Sequence, residues 1–128
     1  MSAWEAGLVA ASSPSWERRA GAGWDLAAFA EVPEAAEVLV RLLLDAEDTA
    51  VTRRTAEALA RVGSVAAVRV LARAVAGADD GQADWLETGV LDAEVPDLAA
   101  ACAALAWDRD EEVRRGAAEL MVWVRGGS

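Results

Sequence analysis

One pattern recurs along the chain and constrains the fold more than any single residue does. Its copies are Ser13-Pro-Ser-Trp16-Glu-Arg18-Arg19-Ala20, Asp48-Thr-Ala-Val51-Thr-Arg53-Arg54-Thr-Ala56-Glu57 and Asp110-Glu-Glu-Val113-Arg114-Arg115-Gly-Ala117-Ala118-Glu119. Each opens on a capping residue, sets an apolar residue three positions later, and continues with an arginine pair and small residues. The anchors Trp16, Val51 and Val113 stand 35 and 62 residues apart, and the second interval is twice 31. A degenerate copy is therefore expected near Asp84-Trp85-Leu86. A unit of this length is a helical hairpin that cannot bury its apolar face alone, so copies must stack.

The local signals agree. Ser13, Asp48 and Asp110 are N-cap types, whose side chains accept the orphan N–H groups of a first helical turn. Val51, Thr55, Ala58, Leu59 and Val62 recur at helical spacing. Arg53 to Glu57 and Glu57 to Arg61 are charge pairs four residues apart on the other face. Gly63-Ser64 stops this helix and caps the next, which carries Val65, Val68, Leu71, Ala72 and Val75. Helices are expected at roughly 3–11, 15–30, 34–46, 49–62, 65–77, 82–92, 95–107 and 111–124. Close helix contact is the expected reason for Gly21 and Gly23. The class is all-α: one domain over 1–128, an α-solenoid of stacked hairpins with about four repeats.

These residues carry a resemblance. Asp-x-x-Val-Arg-Arg-x-Ala-Ala-Glu-Leu at 110–120 is similar to the inner-helix signature of HEAT repeats of the phycobilisome-lyase type. Leu42 to Ala76 resembles it too, with Asp-x-x-Val at 48–51 and Gly-Ser-x-x-Ala-Val-x-x-Leu at 63–71. Small HEAT-repeat proteins of high-GC bacteria are similar as well, and the likeness runs from about residue 12 onward. The resemblance implies binding of macromolecules across an extended surface and carries over no catalytic residues. The copy at 82–92 departs from the pattern by lacking the arginine pair.

Composition narrows the chemistry. The chain has no His and no Lys, and all 12 basic residues are Arg. Imidazole bases, Ser-His and Cys-His pairs, imidazole metal ligands, phosphate-loop lysines and Schiff bases are all excluded. Cys102 is alone, which rules out an internal disulfide and a Cys-rich zinc site, and a reducing, cytoplasmic setting is expected. It sits in an Ala-Leu helix and reads as a small buried hydrophobe. No cofactor and no metal are expected, because Asp79, Asp80 and Asp84 lack the ligand order of a calcium loop. The chain reads as a non-enzyme.

Three surface readings remain. Arg53, Arg54, Arg114 and Arg115, with Arg18 and Arg19, recur in the repeats. They read either as an inner-face ladder to carboxylates that ties repeats together, or as a nucleic-acid or glycosylase-like grip. The formal charge of −10 disfavours the grip and any anionic membrane. A structural homo-oligomer using an apolar end face near Trp4 is the third reading.

The sharpest asymmetry lies between Ala74 and Asp108. No basic residue occurs there, and Asp79, Asp80, Asp84, Glu87, Asp92, Glu94, Asp97 and Asp108 carry eight negative charges. Trp85 stands among these acids, and Trp107 lies opposite Leu98, Cys102 and Leu105 on its helix. Trp16 and Trp24, eight apart, read as core, as does Trp4 with Leu8. The expected function is protein–protein scaffolding, with Asp79, Asp80, Asp84, Trp85, Glu87 and Trp107 receiving a basic partner such as a basic nuclease-like toxin.

Overall fold

The computed structural model describes residues 3–126, and among these the regular structure is helical throughout. The α-helices are α1 (Ala3–Ala10), α2 (Trp16–Leu26), α3 (Pro33–Leu43), α4 (Thr49–Val62), α5 (Val65–Gly77), α6 (Asp80–Asp92), α7 (Leu98–Leu105) and α8 (Glu111–Gly126). Together they form an α-solenoid. In one layer α2 stacks on α4 and α4 on α6; in the other α3 lies beside α5 and α5 beside α8. The short α7 leans on α8 and α5, and α1 covers α2.

The boundaries follow from local chemistry. Asp48 is extended, and its carboxylate accepts the Ala50 N–H at 2.8 Å. At the other end of α4, Gly63 takes the left-handed conformation (φ +66) in which its N–H caps the Leu59 carbonyl. Ser64 then accepts the Ala67 N–H and starts α5. Asp79 and Gln82 form a reciprocal capping box, which moves the start of α6 ahead of the expected 82. The helix expected over 15–30 ends at Leu26 and passes into a 3₁₀ turn, Ala27–Phe29. Val32 precedes Pro33 and is held extended, so no helix can run through it. For similar reasons α7 begins at Leu98 rather than 95, after Glu94 in the left-handed region (φ 52) and Pro96.

Two expectations about the repeat need correction. Val51 and Val113 hold the third position of their helices and are fully buried, whereas Trp16 is the first residue of α2. The arginine pairs start at different positions in their helices: Arg18 is third, Arg53 fifth and Arg114 fourth. At 3.6 residues per turn, each offset of one rotates the pair by about 100°. The copy containing Val113 also sits in the other layer: α8 docks on α5, not beside α6.

Glycines set how closely neighbouring helices stack within each layer. A Cβ on Gly116 would fall on the Ala72 carbonyl oxygen of α5, and one on Gly89 would fall on the Arg53 carbonyl oxygen of α4. A Cβ on Gly23 would instead meet the Thr55 side chain across the α2–α4 seam, where the Thr55 hydroxyl is buried without a hydrogen-bond partner among the described residues. Gly21 differs, since nothing lies within 4 Å of its would-be Cβ. Close contact explains Gly23 and leaves Gly21 without a packing role.

Candidate functional site

Several arginines hold the fold together. Arg19 is almost wholly buried, and its guanidinium donates to both Asp45 oxygens (3.1 and 3.4 Å) and to the carbonyls of Ser13 and Pro14. Asp45 Oδ2 also accepts the backbone N–H groups of Glu47 and Asp48, so one ion pair ties the α1–α2 and α3–α4 connections to α2. Arg53 reaches Asp92 on α6 at 3.4 Å. Arg54 lies over the Trp16 ring, 5.4 Å from its centroid. Arg114 donates to the Asp108 carbonyl, and Arg115 is exposed. Ion pairs thus link neighbouring elements at several points; Arg53 and Arg54 lie on α4 in one layer, and Arg114 and Arg115 on α8 in the other.

Arg69 and Asp108 bind each other through two hydrogen bonds (3.0 and 3.4 Å), and Asp108 also accepts the Asp110 N–H. The Arg69 bonds and then the Asp110 N–H hold the Asp108 carboxyl below the usual carboxylate range. A depressed folded pKa means stability that is complete above the unfolded value, near about 4, and lost as pH falls through the folded one. Asp108→Asn should therefore flatten the acid limb of stability, read as urea midpoints from about pH 6 down to about pH 2.

Burial pushes the Cys102 thiol above its ordinary range. Little thiolate exists at neutral pH, and iodoacetamide should label Cys102 only as the protein unfolds. Labelling at the rate of a free thiol in the native protein would contradict this burial.

The acids between Ala74 and Asp108 stand differently. Asp92, midway along the run, and Asp108, at its end, are paired with Arg53 and Arg69. Asp79, Asp80, Asp84, Glu87, Glu94 and Asp97 form no ion pair among the described residues. Asp79, Asp80, Asp84, Trp85 and Glu87 share the start and middle of α6, and all but the half-buried Glu87 are exposed. Among the described residues no three acidic or thiol side chains converge as a metal site.

The tryptophans divide. Trp107 is 90% exposed and Trp85 41% exposed. They belong to separate places, because α6 and α7 scarcely touch and Trp107 is anchored through Asp108 to α5. Trp4 and Trp16 pack partly against the core. Trp24 does not: at 49% exposed it lies on the outer side of α2, whose buried positions are Arg19, Ala20, Ala22, Gly23 and Leu26. The expectation that Trp24 is core is corrected by that phase. Trp123, buried on α8, was not singled out by spacing, although Val113, Leu120 and Trp123 fall on one helical face.

The HEAT-repeat family matches residues 5–88, and the chain belongs to that family. HEAT repeats are generally protein-interaction scaffolds and typically have no enzymatic activity. No curated protein matches the chain. Two engineered proteins solved by the Northeast Structural Genomics Consortium are similar to it. One is 22% identical, with a TM-score of 0.46 over 97% of this chain and 63% of its own. The other is 23% identical, with a TM-score of 0.45 over 100% of this chain and 39% of its own. The chain thus spans less than two thirds of either protein. No helix among the described residues is long and apolar enough to cross a membrane.

Proposed function

We propose that this protein is a non-catalytic interaction module whose acidic α6 docks a basic protein surface. Asp79, Asp80, Asp84 and Glu87 supply the field, Trp85 is the apolar anchor within it, and Trp107 makes a separate, outlying contact. The observation that carries this reading is the row of carboxylates without counter-charges on α6, in a fold that elsewhere uses arginines to tie its elements together. Uncompensated charge of one sign raises the association rate of an opposite partner and repels polyanions. A half-exposed Trp amid that charge is the residue type that concentrates binding energy. The reading places the protein in the reducing cytoplasm, where a lone thiol persists.

Nucleic-acid binding finds less support. Arg19 is buried, Arg53 is paired with Asp92, Arg54 stacks on Trp16, and the net charge opposes a phosphate backbone. Self-assembly would bring the same negative charge together on both copies.

The test is capture from the native lysate by the wild type and by the variant Asp79→Asn, Asp80→Asn, Asp84→Asn, Glu87→Gln. Asparagine still caps α6 at position 79. The expected result is a basic protein whose affinity falls with salt and drops about tenfold or more in the variant. Equal capture by both, or capture of nucleic acid, would overturn the reading.

A further inference from the structure

A cleft of about 620 Å³ opens where the end of α6, the α6–α7 connection and the last turns of α8 meet. Its apolar lining is Val90, Leu91, Val95, Pro96, Leu98 and Val124, and Glu94 is its charged member. Leu91, one of its walls, is 38% exposed. Glu94, just after the C-cap of α6, holds a left-handed backbone (φ 52) that ends the helix and turns the chain into the cleft wall. The volume lies within the range of small ligand pockets, enough for a few side chains of a peptide.

The charges around this cleft select its occupant. Asp92, Glu94 and Asp97 flank it in sequence, and Glu94 and Asp97 form no ion pair among the described residues. The nearby cations are Arg53, which is bound to Asp92, and Arg125, which follows Val124 and is itself engaged. We infer that the cleft seats an extended segment of the basic partner: one or two large aliphatic side chains flanked by arginine or lysine. This rests on the acidic-docking reading and gives that partner a second, apolar point of attachment beyond Trp85. A second copy of the chain would bring the same acids to the mouth, and an anionic lipid surface would be repelled.

The test titrates the ¹⁵N-labelled protein with three short synthetic peptides. One alternates leucine with arginine, one replaces its leucines with serine, and one replaces its arginines with glutamate. The leucine–arginine peptide should shift the amides of Val90, Leu91, Val95, Leu98 and Val124 and bind tightest. Leu91→Asp and Val124→Arg, each first shown by its melting curve to stay folded, should weaken it about tenfold, the loss expected for one unseated aliphatic side chain. If the serine–arginine peptide binds as tightly, with shifts on 79–87, the cleft proposal fails and the acidic-docking reading stands. Equal binding of the leucine–glutamate peptide overturns the charge selection and with it the proposal. Binding by none of the three also overturns it, leaving the acidic lobe to be judged by lysate capture.

Discussion

Gly116→Val should be the most damaging single change in this protein. Position 116 is where α8 meets α5 backbone to backbone, and a valine Cβ would fall on the Ala72 carbonyl oxygen, with the Ala72 carbonyl carbon 2.6 Å and Cα 2.8 Å away. No rotamer relieves a clash with main-chain atoms, so the helices must part. Overpacking a close-packed core typically costs about 1–3 kcal/mol, and more where backbone must move. Parting α8 also exposes Val113, Ala117, Leu120 and Trp123, which are buried against the rest of the fold. Each large apolar side chain among them is worth about 1.5–3 kcal/mol of burial. The expected result in urea unfolding is a loss above about 3 kcal/mol, or α8 undocked with Trp123 open to acrylamide quenching. Gly21→Ala is the internal contrast. Its Cβ meets nothing within 4 Å, so it should raise stability by up to about 1 kcal/mol through helix propensity alone. Equal effects at the two sites would refute the close-contact account of the seams.

The second large effect is expected at Arg19. The Arg19–Asp45 pair has side chains only 9% and 11% exposed, and it satisfies two backbone carbonyls and two backbone N–H groups in adjoining loops. Arg19→Met keeps much of the stem's packing but leaves Asp45 buried without its counter-charge. Removing one partner of a buried pair costs about 3–5 kcal/mol. The double variant Arg19→Met, Asp45→Asn should lose less than the sum of the single losses, because the second change removes the stranded charge. Strict additivity would mean that the two residues do not act as a pair. Arg18→Met, one position away on an exposed turn, should change stability by less than about 0.5 kcal/mol.

These two sites also mark how far the chain could be read from residues alone. Thr49–Val62 and Val65–Gly77 match expectation to the residue, because Asp48, Gly63 and Ser64 punctuate them with unambiguous cap chemistry. The α-solenoid was legible from the repeat itself. The phase of the first copy was not. Alignment matched Trp16 to Val51, yet Ser15 caps α2 so late that Trp16 falls two helical positions earlier. That offset turns Arg19 into the core and Trp24 outward. The layer occupied by α8 was equally hidden, since its choice of α5 over α6 depends on the Gly116–Ala72 approach between residues far apart in the chain.

Of the residues picked for partner binding, the acids on α6 needed only a charge count. Their lack of counter-ions required the fold, because Arg53 and Arg69 come from 39 residues away to reach Asp92 and Asp108. Nor could any local pattern have revealed the cleft under Leu91, whose walls come from α6, a loop and the far end of α8.

The central claim is that the acidic α6 segment is the docking face, and hydrogen exchange on the captured complex tests it most directly. The account predicts that partner binding slows exchange in peptides covering 79–97 and leaves those of α2 unchanged. Protection confined to α2 and α4, around Trp24 and Arg54, would contradict it and move the interface to those arginine-bearing helices.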